Sequence, residues 1–339
     1  MARFSRMEVL NRMVETGLVP VFYNKDLETA KKIVSACVAG GAKVVEFTNR
    51  GDFAYQVFSG LVKNFDEQNS DVILGVGSVI DPGTAALYIC NGANFVVGPV
   101  LNEEVAKVCN RRKVAYCPGC GSASEISKAE ELGVEICKMF PGGTVGGPAF
   151  VKSVRAPSPW TRIMPTGGVA PTEESINGWF GAGVACVGMG SKLITKELVA
   201  AGDYEGITAN VKRTLELIRK ARGEPLFYGV DHPGLYPTEE ATAKEIADWY
   251  SQTFGFTVKE GRSSFMISGA GSGRLEVVKE KATGGCHVAI RVSNFEAAVE
   301  ALRAQGVELE EPKIKPGVKA VFLKEPDPAG NLVHLLWTA

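Results

Sequence analysis

Two sets of side chains in this chain could do chemistry. The first centres on Lys138, in the run Val134-Glu135-Ile136-Cys137-Lys138-Met139-Phe140-Pro141. The run reads as a buried strand stopped by Phe-Pro-Gly-Gly. An ammonium among apolar neighbours is costly to bury. Lysines so placed can shed the proton and attack a ketone to form a Schiff base. The plainer alternative is a lysine that reaches solvent from a strand end. The second set is the chain's three histidines, His232, His287 and His334, all in its last third. Three imidazoles with a carboxylate would suit Zn, Fe, Mn or Ni.

Elements must position these groups. Up to about residue 222, apolar strands alternate with amphipathic helical stretches, after a first helix at Ser5–Thr16. The predicted strands are Leu18–Tyr23, Lys43–Thr48, Val72–Val76, Asn94–Gly98, Lys113–Cys117, Val134–Met139, Arg162–Pro165 and Val184–Val187. Turn residues and a helical segment follow each, as in Asp26–Ala39 and Ser124–Leu132. The fold class is α/β, and eight such units describe a (β/α)8 TIM barrel. A doubly wound open sheet is the alternative.

The polar residues fall at C-terminal strand ends, where barrel enzymes build their sites. Glu46 closes the second strand, Ser78 follows the third, Gly98-Pro99 the fourth, and Lys138 ends the sixth. Pro165-Thr166-Gly167-Gly168 follows the seventh and Gly190-Ser191 the eighth. Lys138 and Glu46 thus pair a buried amine with an acid/base across one cavity. Glycine loops after the last two strands of a barrel are a usual phosphate site, built from backbone N–H groups and a helix N-terminus.

With these residues in place, residues 5–222 resemble the 2-keto-3-deoxy-6-phosphogluconate (KDPG) and 4-hydroxy-2-oxoglutarate aldolase family. The resemblance lies in Glu46-Phe47-Thr48-Asn49-Arg50, Lys138-Met139-Phe140-Pro141, Pro165–Gly168 and Gly190-Ser191. It implies a cofactor-free class I lyase, usually a homotrimer, that cleaves a 2-keto-4-hydroxy acid to pyruvate and an aldehyde. Lys138 would form the Schiff base and Glu46 would move protons. Arg50, Ser78, Pro99, Phe140 and Thr166 would line the substrate; Gly167, Gly168, Gly190 and Ser191 would hold its phosphate. Departures surround the substrate: Ser78 where threonine is usual, Tyr23 where some members have arginine, and Gly142-Gly143 after the Lys-x-Phe-Pro stretch.

A composition break follows the charged helix Tyr204–Arg222. Residues 223–229 read as a linker, and 230–339 as a second, α+β domain. There a pattern of short strands and one helix occurs twice, a repeat of roughly 55 residues. Asp231-His232 leads to helix Thr238–Phe254 and strand Arg274–Val278. Cys286-His287 leads to helix Asn294–Gln305 and strand Asn331–Trp337. The spacing from His232 to Glu276 nearly equals that from His287 to His334. This domain resembles the vicinal oxygen chelate (glyoxalase/bleomycin-resistance) superfamily through Asp231-His232-Pro233-Gly234, the run Trp249–Phe256 and Asp327–His334. The resemblance implies two βαβββ modules and a divalent transition metal held by His232, Glu276, His287 and His334. The fourth position more often holds Glu.

Composition narrows the partners. Net charge is −1 with 22% charged residues and no basic block, which argues against nucleic acid. No apolar run reaches membrane-spanning length and no signal-peptide pattern opens the chain, so a cytoplasmic protein is expected. Eight scattered cysteines suit reduced thiols. Cys117-Pro118-Gly119-Cys120 has redox or zinc-knuckle spacing, but no second pair accompanies it, and Pro-Gly reads as a strand-to-helix turn. The leading expectation is a KDPG-type aldolase fused to a glyoxalase-like domain. Alternatives are a 4-hydroxy-2-oxoglutarate or non-phosphorylated sugar-acid aldolase, main chemistry at the C-terminal metal site, or a C-terminal module that only binds.

Overall fold

The computed structural model describes residues 2–68, 70–271, 273–280, 286–315 and 317–338. The chain divides into two compact units, Met1–Gly223 and Glu224–Ala339.

The first unit opens with helix Arg6–Thr16. Ser5 and Glu8 form its capping box and Gly17, at φ 72°, ends it. Nine strands follow: β1 (Leu18–Phe22), β2 (Val44–Thr48), β3 (Ile73–Gly77), β4 (Phe95–Val97), β5 (Ala115–Cys117), β6 (Gly119–Cys120), β7 (Cys137–Met139), β8 (Ile163–Pro165) and β9 (Val187–Met189). They form curled parallel sheets in the orders β5-β4-β3-β2-β1-β9 and β6-β7-β8. Thr166 bridges to Gly188, and the Ala185 N–H donates to the Ile163 carbonyl, linking the ends of β8 and β9.

The expected turn at Pro118-Gly119 is instead a break within one extended stretch. Proline cannot donate to a ladder. Before it, β5 pairs with β4; after it, β6 pairs with β7, and the Pro118 carbonyl accepts from the Lys138 N–H. The strand expected at Val134–Met139 is confined to Cys137–Met139, because the Val134 N–H closes the preceding helix onto the Ala129 carbonyl. The last strand of the unit lies later than expected, at Val187–Met189.

Side-chain alternation sorts these strands into two cores. Val19, Val44, Ile73, Phe95, Ala115, Ile136, Met164 and Cys186 form the inner one, with Val9, Leu10 and Met13 of the first helix plugging it. Val45, Phe47, Leu74, Val96, Tyr116, Cys137 and Val187 face the outer helices. Cys117 belongs to the inner core and Cys120 to the outer, so the two thiols do not share a site.

The second unit contains β10 (Phe227–Leu235), β11 (Thr257–Glu260), β12 (Ser264–Ser268), β13 (Arg274–Val278), β14 (His287–Val292), β15 (Lys313–Lys315), β16 (Val318–Phe322) and β17 (Leu332–Thr338). Helix Ala243–Phe254 follows β10, and helix Phe295–Ala304 follows β14. The sheet order is β11-β12-β13-β10-β14-β17-β16-β15. Pairing is parallel for β10 with β13 and for β14 with β17, and antiparallel where β10 meets β14. The first strand begins at Phe227, inside the stretch expected to be linker. The first helix starts later than the expected Thr238, because Thr242 and Glu245 form its capping box. Phe265, Ile267 and Val277 pack under one helix; Val292, Val321 and Leu335 pack under the other. The alternate residues, including Met266, Glu276, His287, Phe322 and His334, therefore share the opposite face. Among the described residues, no helix is long and apolar enough to cross a membrane.

Candidate functional site

Alternation along the strands of the first unit builds its site. Glu46 lies two residues beyond Val44, Lys138 two beyond Ile136, and Thr166 two beyond Met164, each of these three being part of the inner core. Polar groups thus sit directly above the apolar layer, at the C-terminal ends of the strands.

Glu46 is 1% exposed and Lys138 is 5% exposed. Glu46 Oε2 has no hydrogen-bond partner among the described residues. Burial pushes its carboxyl pKa up, against the downward pull of the Lys138 and Arg50 charges. A Cβ on Gly77 would stand 1.8 Å from Glu46 Oε1, so this position must be glycine while the carboxylate points inward. Lys138 Nζ lies 4.8 Å from the centre of the Phe140 ring. Arg50 donates to Ser78 Oγ at 3.3 Å. Ser78 has φ 63°, an unusual conformation for a residue with a Cβ. The Pro99 carbonyl abuts Gly119, which pairs with Lys138 in register. The Thr166 hydroxyl packs against Gly188 and has no partner among the described residues. All the expected catalytic and lining residues therefore gather at one end of the sheet.

The two glycine loops are also there. Gly167 and Gly168 have φ values of 82° and 81°. The Gly142 and Gly143 N–H groups donate to the carbonyls of Thr166 and Gly167, locking the loops after β7 and β8 together. Helices Glu173–Gly181 and Lys196–Ala201 start further on than the helix N-termini expected beside these loops. The Gly190 loop supplies a single turn in their place, with Leu193 and Ile194 donating to the Gly190 carbonyl.

The sequence reading missed Tyr88 beside this site, though it had placed Tyr23 near the substrate. The Tyr88 hydroxyl donates to Asn49 Oδ1 at 2.9 Å, steadying the loop that carries Arg50. The Tyr23 hydroxyl covers Gly51, where a Cβ would lie only 2.1 Å away.

The model of the KDPG and KHG aldolase family matches residues 9–210.

The chain belongs to this family.

The 2-dehydro-3-deoxy-phosphogluconate aldolase of Treponema pallidum is 30% identical over 210 residues, covering 62% of this chain and 97% of that protein. The KHG/KDPG aldolase of Escherichia coli K12 is 31% identical over 206 residues, covering 60% and 93%. A Legionella pneumophila KDPG aldolase, solved with pyruvate captured at low pH as a covalent carbinolamine intermediate, superposes with a TM-score of 0.55 at 28% identity, covering 60% of this chain and 97% of that one. The Zymomonas mobilis ATCC 29191 aldolase gives 0.55 at 28% identity, covering 63% and 98%. Residues 241–335 match the Glyoxalase/Bleomycin resistance protein/Dioxygenase superfamily. The chain is thus an aldolase-family lyase with a glyoxalase-like segment after it.

In the second unit His232, His287 and His334 are buried, and each offers a nitrogen within 4.8 Å of the others. Glu276 Oε2 lies 3.2 Å from His232 Nε2 and 3.1 Å from His287 Nε2. The two imidazoles hold the Glu276 carboxyl well below the usual range, more than burial raises it. Burial works against a charged His232, but Glu276 and Asp231 outweigh it and raise its pKa. His334 has neither ring nitrogen partnered among the described residues, and burial with the neighbouring imidazoles lowers its pKa to about 4. The four expected ligands do converge. Sequence reasoning missed Asp231 and Tyr236, which touch the outer nitrogens of His232 and His287, and Phe322, whose ring meets His334 edge-on at 4.6 Å.

Proposed function

We propose that the N-terminal unit is a class I aldolase that cleaves a 2-keto-3-deoxy-6-phospho sugar acid to pyruvate and glyceraldehyde 3-phosphate. One observation carries this reading: Lys138 is a buried amine coupled electrostatically to Glu46, a buried carboxyl with an unpartnered oxygen. Lys138 Nζ attacks the keto carbon, and the carbinolamine loses water to give an iminium. Glu46 takes the proton of the 4-hydroxyl as the C3–C4 bond breaks. The aldehyde departs and the bond's electron pair passes into an enamine. Protonation at C3 and hydrolysis then release pyruvate and restore Lys138. The carbinolamine captured in the Legionella relative supports this chemistry. The glycine loops Gly167-Gly168 and Gly190-Ser191, side by side at the C-terminal strand ends, favour a phosphate dianion held by backbone N–H groups. The same reading closes the curled sheet into a (β/α)8 barrel, with β5 and β6 as halves of its fifth strand, and takes the protein to be a cytoplasmic homotrimer. Borohydride reduction with pyruvate should add a pyruvate-derived mass to the peptide containing Lys138. A label on another lysine, or none, rejects the mechanism.

A second reading concerns the C-terminal unit, as two βαβββ modules sharing one cup. Its convergent histidines favour a divalent transition metal held by His232, Glu276, His287 and His334. The donor set fits: a cation would satisfy the buried, unpartnered nitrogens of His334. When bound, such a metal supplies a Lewis acid for an oxygen-bearing substrate. Metal analysis of the purified chain tests it, and a metal-free protein that takes up none leaves a binding module.

A further inference from the structure

We propose that Asp231 and Tyr236 are positioning residues for this ligand set: they lock His232 and His287 so that Nε2 of each faces the cation, and leave His334 as the adjustable ligand. The inference rests on the metal reading above and extends it to residues outside the ligand set.

His232 Nδ1 lies 2.8 Å from Asp231 Oδ1, and His287 Nδ1 lies 3.0 Å from the Tyr236 hydroxyl. An imidazole whose Nδ1–H is donated outward carries its lone pair on Nε2. Both Nε2 atoms do face the shared centre, where Glu276 Oε2 waits at 3.2 and 3.1 Å. Neither forms a geometrically sound hydrogen bond there, which leaves both lone pairs available.

The locks are themselves held. The Asp231 side chain is 2% exposed and takes Arg274 Nη2 on both oxygens, at 2.5 and 2.6 Å, with Arg291 Nη1 at 3.3 Å. One arginine nitrogen shared between both oxygens, with a second arginine on Oδ2, holds this buried carboxylate in place. The His287 ring lies against Gly234, where a Cβ would come 1.8 Å from Cε1. Among the described residues, His334 has no comparable support. Its neighbours are aromatic: the Phe322 edge and the other two imidazoles. Partners of this kind commonly set metal affinity through ring orientation and tautomer.

The test uses the full chain, stripped with a chelator and titrated with Zn²⁺ or Co²⁺ alone. Affinity is read by competition with a chromophoric chelator, and ligand geometry by the visible bands of Co²⁺. Asp231→Asn and Tyr236→Phe should each weaken binding by about 10–100-fold and shift the Co²⁺ bands. His334→Ala should lose less affinity than His232→Ala or His287→Ala. Tyr236→Phe removes one oxygen, and its metal-free unfolding should match wild type, which separates positioning from folding. It decides the matter if Asp231→Asn fails to fold. Wild-type affinity and spectrum in both variants would overturn the proposal while leaving the metal reading intact. A wild-type chain that binds neither ion would overturn both.

Discussion

Glu46 and Glu276 are the same side chain in two opposed settings. Glu46 is buried above the apolar inner layer with one oxygen unpartnered among the described residues, and burial raises its pKa against the pull of Lys138 and Arg50. Glu276 sits between two imidazoles that lower its pKa despite burial. A carboxyl raised by its surroundings binds a proton more readily than a free one; one held low stays an anion and suits a cation. On the proposed functions, the two environments suit one glutamate to carrying protons and the other to ligating a cation.

The largest expected effect is on Lys138. Lys138→Ala should lower pyruvate release by on the order of a thousandfold or more, since the covalent step has no substitute. Residual cleavage near wild-type rates would end the comparison at its aldolase side.

Glu46→Gln should slow cleavage by about 10²–10⁴-fold, as a lost general acid/base does. Glu276→Gln should leave cleavage unchanged but weaken metal uptake. If both substitutions impair pyruvate release alike, the division between carrier and ligand is wrong. Chelation makes the same cut: metal leaves and cleavage stays.

Phosphate recognition is a smaller effect. The phosphorylated 2-keto-3-deoxy acid should exceed its unphosphorylated analogue in kcat/KM by about 10–100-fold, corresponding to about 1.4–2.7 kcal/mol at the glycine loops. Equal efficiency would favour 4-hydroxy-2-oxoglutarate or a non-phosphorylated sugar acid.

The smallest effects are on stability, and they differ in sign. Glu46 has a folded pKa above its unfolded value, so its ionisation opposes folding as pH rises through the folded pKa. Glu46→Gln should stabilise the fold near neutral pH by about 1 kcal/mol, about 2–4 °C, with the gain vanishing at acid pH. Glu276 has a folded pKa below its unfolded value, so its contribution is present above the unfolded pKa and is lost as pH falls toward the folded one. Glu276→Gln in metal-free protein should therefore destabilise at neutral pH and matter less in acid. Calorimetry across pH reads both, since a single Tm does not describe two units. Shifts of the same sign would show that the two carboxyls do not differ as described.

Much of the aldolase site was legible because strand periodicity is local. Val44 and Ile136 mark the inward face, and that alone turns Glu46 and Lys138 inward. The strands' limits were less legible, since Pro118 breaks a ladder through a missing N–H that only the pairing of β5 and β6 reveals. The four C-terminal ligand positions stood out by repeat and residue type. Their outer partners did not. Asp231 entered only as part of the motif around His232, and Tyr236 reaches His287 only across the β10–β14 pairing, which no short-range pattern encodes.

The helix Arg6–Thr16, with Val9, Leu10 and Met13 sealed into the inner core, gives the aldolase site a floor. Lys138 lies directly above that apolar layer, and Gly167, Gly168 and Ser191 lie exposed at the same strand ends. On the proposed chemistry the aldehyde has to leave before pyruvate can, and in the reverse direction pyruvate has to enter first. On that chemistry the order follows from the covalent bond to Lys138, while Val9, Leu10 and Met13 fill the far end of the strands.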